Sequence, residues 1–121
     1  MGKQALVVDD CAVTRMMVSM YLKAAGFVCV QAENGLEALE KLAQEPVDLV
    51  ITDLNMPRMD GLALTKSLRS EARYVRVPIV MLTMESEDAE REKGLEAGVS
   101  VYLTKPVSQA RLSEVVKALT S

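Results

Sequence analysis

Histidine and tryptophan are absent from this 121-residue chain, and the aromatics are three tyrosines and one phenylalanine. Without an imidazole there is no histidine general base, no Ser-His-Asp triad, no phosphohistidine carrier role and little scope for a zinc site. Chemistry here must come from carboxylate, hydroxyl, amine or metal. A cationic excess is also missing: 17 acidic against 14 basic side chains leave a net charge of -3, which argues against a stripe that grips a nucleic-acid backbone. Cysteine is sparse. Cys11 and Cys29 lack CxxC spacing, and a chain of this size needs no disulfide to hold its core, so free thiols in a reducing cytoplasm are expected. Long apolar runs are lacking too. The apolar stretch after Lys3 runs from Ala5 to Val8, short of the ~7 to 15 residues of a signal peptide or the ~20 of a membrane span. Leu6 stands where a myristoylation signal following Gly2 requires Ser or Thr.

Half of the residues are apolar, enough for one core and too few for two, so residues 1–121 are expected to form one domain. Five short runs rich in Val, Ile and Leu recur along it: Ala5 to Val8, Val28 to Val30, Leu49 to Thr52, Ile79 to Leu82 and Val99 to Leu103. They alternate little, as strands buried on both faces do. Helical spacing fills the intervals. The first interval carries Val13, Met16, Met17, Met20, Tyr21 and Ala24 on one stripe, and the last carries Leu112, Val115, Val116 and Leu119. Asn34 with Glu37, Asp60, Ser86 and Ser108 stand as helix caps, and Gly26, Pro46, Pro78 and Gly98 punctuate the joins. Strand and helix alternating five times imply right-handed crossovers and a doubly wound α/β fold, a parallel sheet covered on both faces. No internal repeat, low-complexity tract or linker interrupts it, and the last helix is expected to end the domain at the C-terminus.

In such sheets ligands bind beyond the carboxyl ends of the strands. Asp9 and Asp10 follow the first run, Asp53 closes the third, Thr83 follows the fourth and Lys105 lies just past the fifth. Three carboxylates at one sheet edge repel one another and call for a compensating cation, for which a hard divalent ion such as Mg²⁺ is suited. Taken singly these residues are ordinary: paired acids serve as turns and caps, a strand-end Thr is a common β-former, and Lys-Pro is a turn. Their conjunction is what carries meaning.

That conjunction, with "DLNMPRMDG" around Asp53 and "YLTKP" before Val107, resembles the receiver domain of two-component response regulators over the whole chain. It is similar in style to the single-domain chemotaxis regulators of the CheY type. The resemblance implies a sheet in the order 2-1-3-4-5, for which CheY is a standard example. It implies Asp53 as phosphoacceptor and Mg²⁺ held by Asp10 and Asp53 carboxylates, by Asp9 through water, and by the Asn55 backbone carbonyl. Lys105 would give the phosphoryl group a compact point charge, and Thr83 a rotatable hydroxyl. Thr83 and Tyr102 would form the switch, Thr83 shifting toward the phosphate while Tyr102 turns inward. The face of the fourth helix, fifth strand and fifth helix would then be read by an effector. A cis Lys105-Pro106 bond is also implied.

The same resemblance implies a monomeric cytoplasmic module that takes phosphate from a sensor histidine kinase or a histidine phosphotransfer domain. It would transfer and lose only its own phosphate, so it is a switch more than an enzyme. Chemotaxis is the preferred pathway; a phosphorelay intermediate and a receiver cut from a larger regulator stand beside it. Three residues would modulate access to the site. Asn55 and Glu85 are the types found in fast-cycling chemotaxis members, whereas Met84 replaces a small residue and would crowd the entrance. Val107 and the stretch Val99-Ser100-Val101 also depart from common forms. Met16, Met17 and Met20 read either as core filler or as an adaptable docking face for the kinase's helical donor. The acids Glu85, Glu87, Asp88, Glu90, Glu92 and Glu96 read as a solvated helix face, and Cys11 as small apolar filler beside the site. Two rivals differ in class. A dehalogenase-like phosphatase wants a second acid where Asn55 stands, and a flavodoxin-like FMN protein wants a phosphate loop where Asp9 and Asp10 stand.

Overall fold

The structure, a computed structural model, describes residues 3–84 and 88–121, and of 88–91 the backbone alone. Strand and helix alternate: β1 Lys3–Val8, α1 Ala12–Ala24, β2 Phe27–Ala32, α2 Gly35–Gln44, β3 Leu49–Asp53, α3 Gly61–Arg69, β4 Ile79–Thr83, α4 Asp88–Ala97, β5 Val101–Thr104 and α5 Gln109–Thr120. A 3-10 turn, Ala72–Tyr74, follows α3. The strands are all parallel, in the order β2-β1-β3-β4-β5. The chain reverses direction across the sheet between β1 and β3, so the acidic ends of those two neighbours lie side by side.

Side chains of one strand alternate between the two faces, and the core divides accordingly. Ala5, Val7, Leu49, Ile51, Val80 and Leu82 pack under α1 and α5 against Val18, Leu22, Leu112 and Val116. Leu6, Val8, Val50 and Ile79 face the other way, toward Ala38, Leu42, Leu64 and Leu68 of α2 and α3. A third, smaller cluster of Leu54, Met81, Val99 and Tyr102 lies toward α4.

Three predicted caps are made: Asn34 accepts from the Glu37 amide at 2.9 Å, Asp60 from Ala63 at 2.8 Å and Ser108 from Arg111 at 3.1 Å. Ser86 lies outside the described residues. Gly26 and Gly98 take positive φ, 96° and 110°, where a side chain would be strained. The last stripe is borne out, with Leu112, Val115 and Val116 buried and Leu119 packed beside them.

Three expectations need correcting. α1 turns Val18 and Leu22 to the core, while Val13, Met16 and Met20 face outward. Among the described residues β2 is an edge strand, and Val28 is exposed, so this run is not buried on both faces. β5 begins at Val101, two residues later than the apolar run, because Val99 still bonds back to the Gly94 carbonyl at 3.0 Å.

Candidate functional site

Asp9 continues β1 by one residue, donating its amide to the Ala32 carbonyl at 3.1 Å. The chain then turns: Asp9 Oδ1 accepts the Cys11 amide at 2.9 Å, which points Asp10 outward and starts α1. Asp9 is 3% exposed, whereas Asp10 is open to solvent. Asp53 ends β3 next to it. Its Oδ1 accepts the Leu54 amide at 2.9 Å, and the same amide also reaches the Leu82 carbonyl at 3.1 Å. Behind Asp53, α3 approaches so closely that a Cβ on Gly61 would stand 2.3 Å from the Asp53 carbonyl. Glycine is required there by space alone.

Lys105 enters from the β5–α5 connection. Its amide donates to the Thr83 carbonyl at 2.7 Å, and the Lys105-Pro106 bond is cis. The ammonium reaches Asp9 Oδ2 at 2.8 Å and Asp53 Oδ1 at 3.2 Å. Carboxylate oxygens of Asp9, Asp10 and Asp53 all lie within 4.8 Å of one another. Burial, and then the charge of Asp9, push the Asp53 carboxyl above its usual range, against the smaller pull of Lys105 and the Leu54 amide. Burial by itself would lower the Lys105 ammonium. The hydrogen bond to Asp9 and the field of Asp53 outweigh it, and the pKa is raised. One ammonium therefore does not neutralise this pocket. Hard, oxygen-only donors with charge left over fit a divalent cation of the Mg²⁺ type.

Thr83 ends β4, fully buried, and Asn55 is exposed two residues past Asp53. Tyr102 is 8% exposed, its ring already tucked against α4, where a Cβ on Gly94 would lie 3.0 Å from it. Met84 is exposed and lines an apolar cleft of ≈ 230 Å³ with Met17, Lys105 and Pro106. Glu85, Glu87 and the side chains of Asp88 and Glu90 fall outside the described residues, while Glu92 and Glu96 are exposed. Cys11 is not a filler: it is exposed at the head of α1, because the Asp9 turn aims it outward. Both cysteines are free. Arg15, which sequence reading passed over, joins the pocket's wall by donating to the Asp9 carbonyl at 2.7 Å. A single basic residue on a helix gives no signal of such a role.

Residues 5–117 match the family model of the response regulator receiver domain. The chain belongs to this family. Chemotaxis protein CheY1 of Helicobacter pylori is 41% identical over an alignment of 116 residues, with 94% of this receiver and 94% of that protein covered. Against several transcriptional regulators the match takes in 94% or more of this chain, yet the chain spans only about half of their length. Among solved structures, Vibrio cholerae chemotaxis protein CheY4 superposes with a TM-score of 0.93 at 34% identity, covering 98% of this chain and 99% of that one. The receiver domain of sensor histidine kinase PA1611 from Pseudomonas aeruginosa has a TM-score of 0.90 at 28% identity, covering 99% and 98%. That structure holds a magnesium ion coordinated in its active site cleft. The receiver fold and the CheY-like strand order are thus the family's. Among the described residues no helix is long and apolar enough to cross a membrane.

Proposed function

We propose that residues 1–121 form one receiver domain whose Asp53 accepts a phosphoryl group, with Mg²⁺, from a phosphohistidine of a sensor kinase or histidine phosphotransfer domain. The observation that carries this is the meeting of Asp53 with Asp9, Asp10 and the Lys105 ammonium at one sheet edge. Asp53 Oδ1 already accepts two bonds, which leaves Oδ2 to attack phosphorus. The new O–P bond forms as the P–N bond breaks, and the imidazole departs with the electron pair. Asp10 and Asp53 carboxylates, Asp9 through water and the Asn55 carbonyl would hold the ion. Bound there, Mg²⁺ supplies charge neutralisation for the carboxylates and the phosphoryl oxygens. Lys105 is placed to exchange its carboxylate contacts for a phosphoryl oxygen, and Thr83 to donate its hydroxyl to another.

Phosphorylation adds about -1.5 to -2 charge at the strand edge. The switch is a shift of Thr83 toward that charge, coupled to the placing of Tyr102 beside α4, with the α4, β5 and α5 face read by an effector protein. A coupling of about 1 to 3 kcal/mol is ordinary for such a device. If Tyr102→Ala bound the effector with unaltered phosphorylation dependence, this route would be wrong. The module would work as a cytoplasmic monomer and would not bind nucleic acid directly. The 41% identity with CheY1 supports chemotaxis as the pathway. The half-length overlap with transcriptional regulators supports a second reading, a receiver that belongs to a larger regulator. Phosphorylation-dependent binding to a flagellar motor component favours the first. Efficient return of phosphate to a second histidine domain favours a relay.

The chemistry is tested by incubating wild type and Asp53→Ala with acetyl phosphate, with and without Mg²⁺, and weighing the intact proteins. The expected result is one added phosphate on wild type only, dependent on Mg²⁺. Labelling of the alanine variant, or labelling in excess EDTA, would reject Asp53 or the metal respectively.

A further inference from the structure

Asp10 is exposed and, among the described residues, makes no hydrogen bond or ion pair, although its carboxylate completes the acidic cluster. Its direction must therefore be fixed through the backbone. The peptide unit joining Asp9 to Asp10 is rigid and planar, so whatever holds its carbonyl oxygen also holds the point from which the Asp10 side chain departs. That oxygen accepts from Arg15 Nη1 at 2.7 Å. Arg15 is braced in turn. Its Nε donates to Gln31 Oε1 at 3.2 Å, Nη2 stands 3.9 Å from Glu33 Oε1, and its side chain is only 15% exposed.

We infer that Arg15 is a positioning residue for the cation of the acidic pocket: its guanidinium clamps the Asp9 carbonyl against the end of β2 and so sets the Asp10 carboxylate for Mg²⁺. This rests on the proposed Mg²⁺ site. A guanidinium near the pocket also opposes a dication by charge, an effect that Glu33, 65% exposed and solvated, offsets only weakly. Clamp and charge have opposite signs, and substitution separates them. Loss of the clamp weakens Mg²⁺, whereas loss of the charge alone tightens it.

Isothermal titration of MgCl₂ into metal-free protein is expected to show about tenfold weaker binding in Arg15→Gln, the ordinary scale for a group that orients a metal ligand. Arg15→Lys keeps the charge, loses the planar fork and should fall between that variant and wild type. In EDTA, without any metal, the Cys11 amide of Arg15→Gln should exchange with solvent faster, because the turn that Asp9 Oδ1 closes is loosened. A purely structural arginine would lower the unfolding temperature and leave Mg²⁺ affinity unchanged. Wild-type or tighter affinity in Arg15→Gln overturns the inference, and if that variant fails to fold, wild-type affinity in Arg15→Lys does so. No Mg²⁺ binding by the wild type would overturn the site itself, a result distinct from equal binding by both proteins.

Discussion

Met84 stands 82% exposed beside buried Thr83, on the rim of the cleft that also contains Lys105. We propose that a flexible thioether at that place narrows the approach of a small phosphodonor or of attacking water. Relief of about 0.5 to 1 kcal/mol of crowding corresponds to roughly two- to fivefold in rate. Met84→Ala is therefore expected to speed phosphorylation by acetyl phosphate, loss of phosphate, or both, by that factor in stopped-flow and radiolabel decay measurements. Unchanged rates would reject it. The two thiols also differ by surroundings. The Thr14 hydroxyl and the first amides of α1 draw the Cys11 thiol below its ordinary pKa, while burial raises Cys29 despite Lys23 nearby. At any pH below the ordinary thiol range Cys11 carries the larger thiolate fraction, and the thiolate is what reacts. Iodoacetamide at pH 7 to 8 should label Cys11 first, read by peptide mass spectrometry; equal rates would contradict the assignment. Asp9, Asp10, Asp53, Thr83 and Lys105 were legible because each ends or follows an apolar run. Arg15 and Gly61 were not, since a backbone carbonyl to clamp or to avoid leaves no mark in composition.

Between elements, Arg69 joins the ends of α3, α4 and β4. Its guanidinium donates to the carbonyls of Gly98 at 2.9 Å, Tyr74 at 2.8 Å and Val77 at 2.7 Å. Its stem fills the place that a Cβ on Gly98 would need, 2.6 Å from Arg69 Cγ. Arg69→Met keeps much of the stem and orphans those acceptors, so it should cost about 2 to 4 kcal/mol in urea unfolding. A loss below about 0.5 kcal/mol, the scale of a neutral surface change, would show the carbonyls to be satisfied otherwise. Element types followed from sequence because the inner strands carry runs without alternation and the helices carry capped stripes. Facing was harder. α1 is apolar on more than one side, so its period fits Met16 and Met20 as well as Val18 and Leu22, and only packing against β1 and α5 selects the latter. The edge place of β2 is a matter of strand order, which periodicity does not encode; resemblance supplied it.

For the molecule as a whole, the raised Asp53 carboxyl links folding to pH. Asp53 keeps its proton to higher pH when folded than when unfolded. Between the ordinary aspartate range and that raised value the folded state binds more protons, so this group's contribution to stability falls as pH rises through the window. In EDTA, Asp53→Asn should be more stable than wild type at pH 7, with the gap closing as pH drops below the ordinary aspartate range. Thermal unfolding across pH reads this directly, and a gap that widens on acidification would reverse the sign. Mg²⁺ should then favour the wild type, by about 2.7 kcal/mol at a hundred times its dissociation constant. Lys105 behaves oppositely in base: its raised pKa gives stability that is complete below the ordinary lysine range and is lost as pH climbs past it.

The sheet keeps the packing beneath α1 and α5 apart from that beneath α2 and α3, and the carboxylates sit at the seam, belonging to neither. Apolar side chains deep in either half can thus be exchanged without touching the carboxylates themselves. One acidic pocket can in this way be dressed with many outer faces, each suited to a different listener.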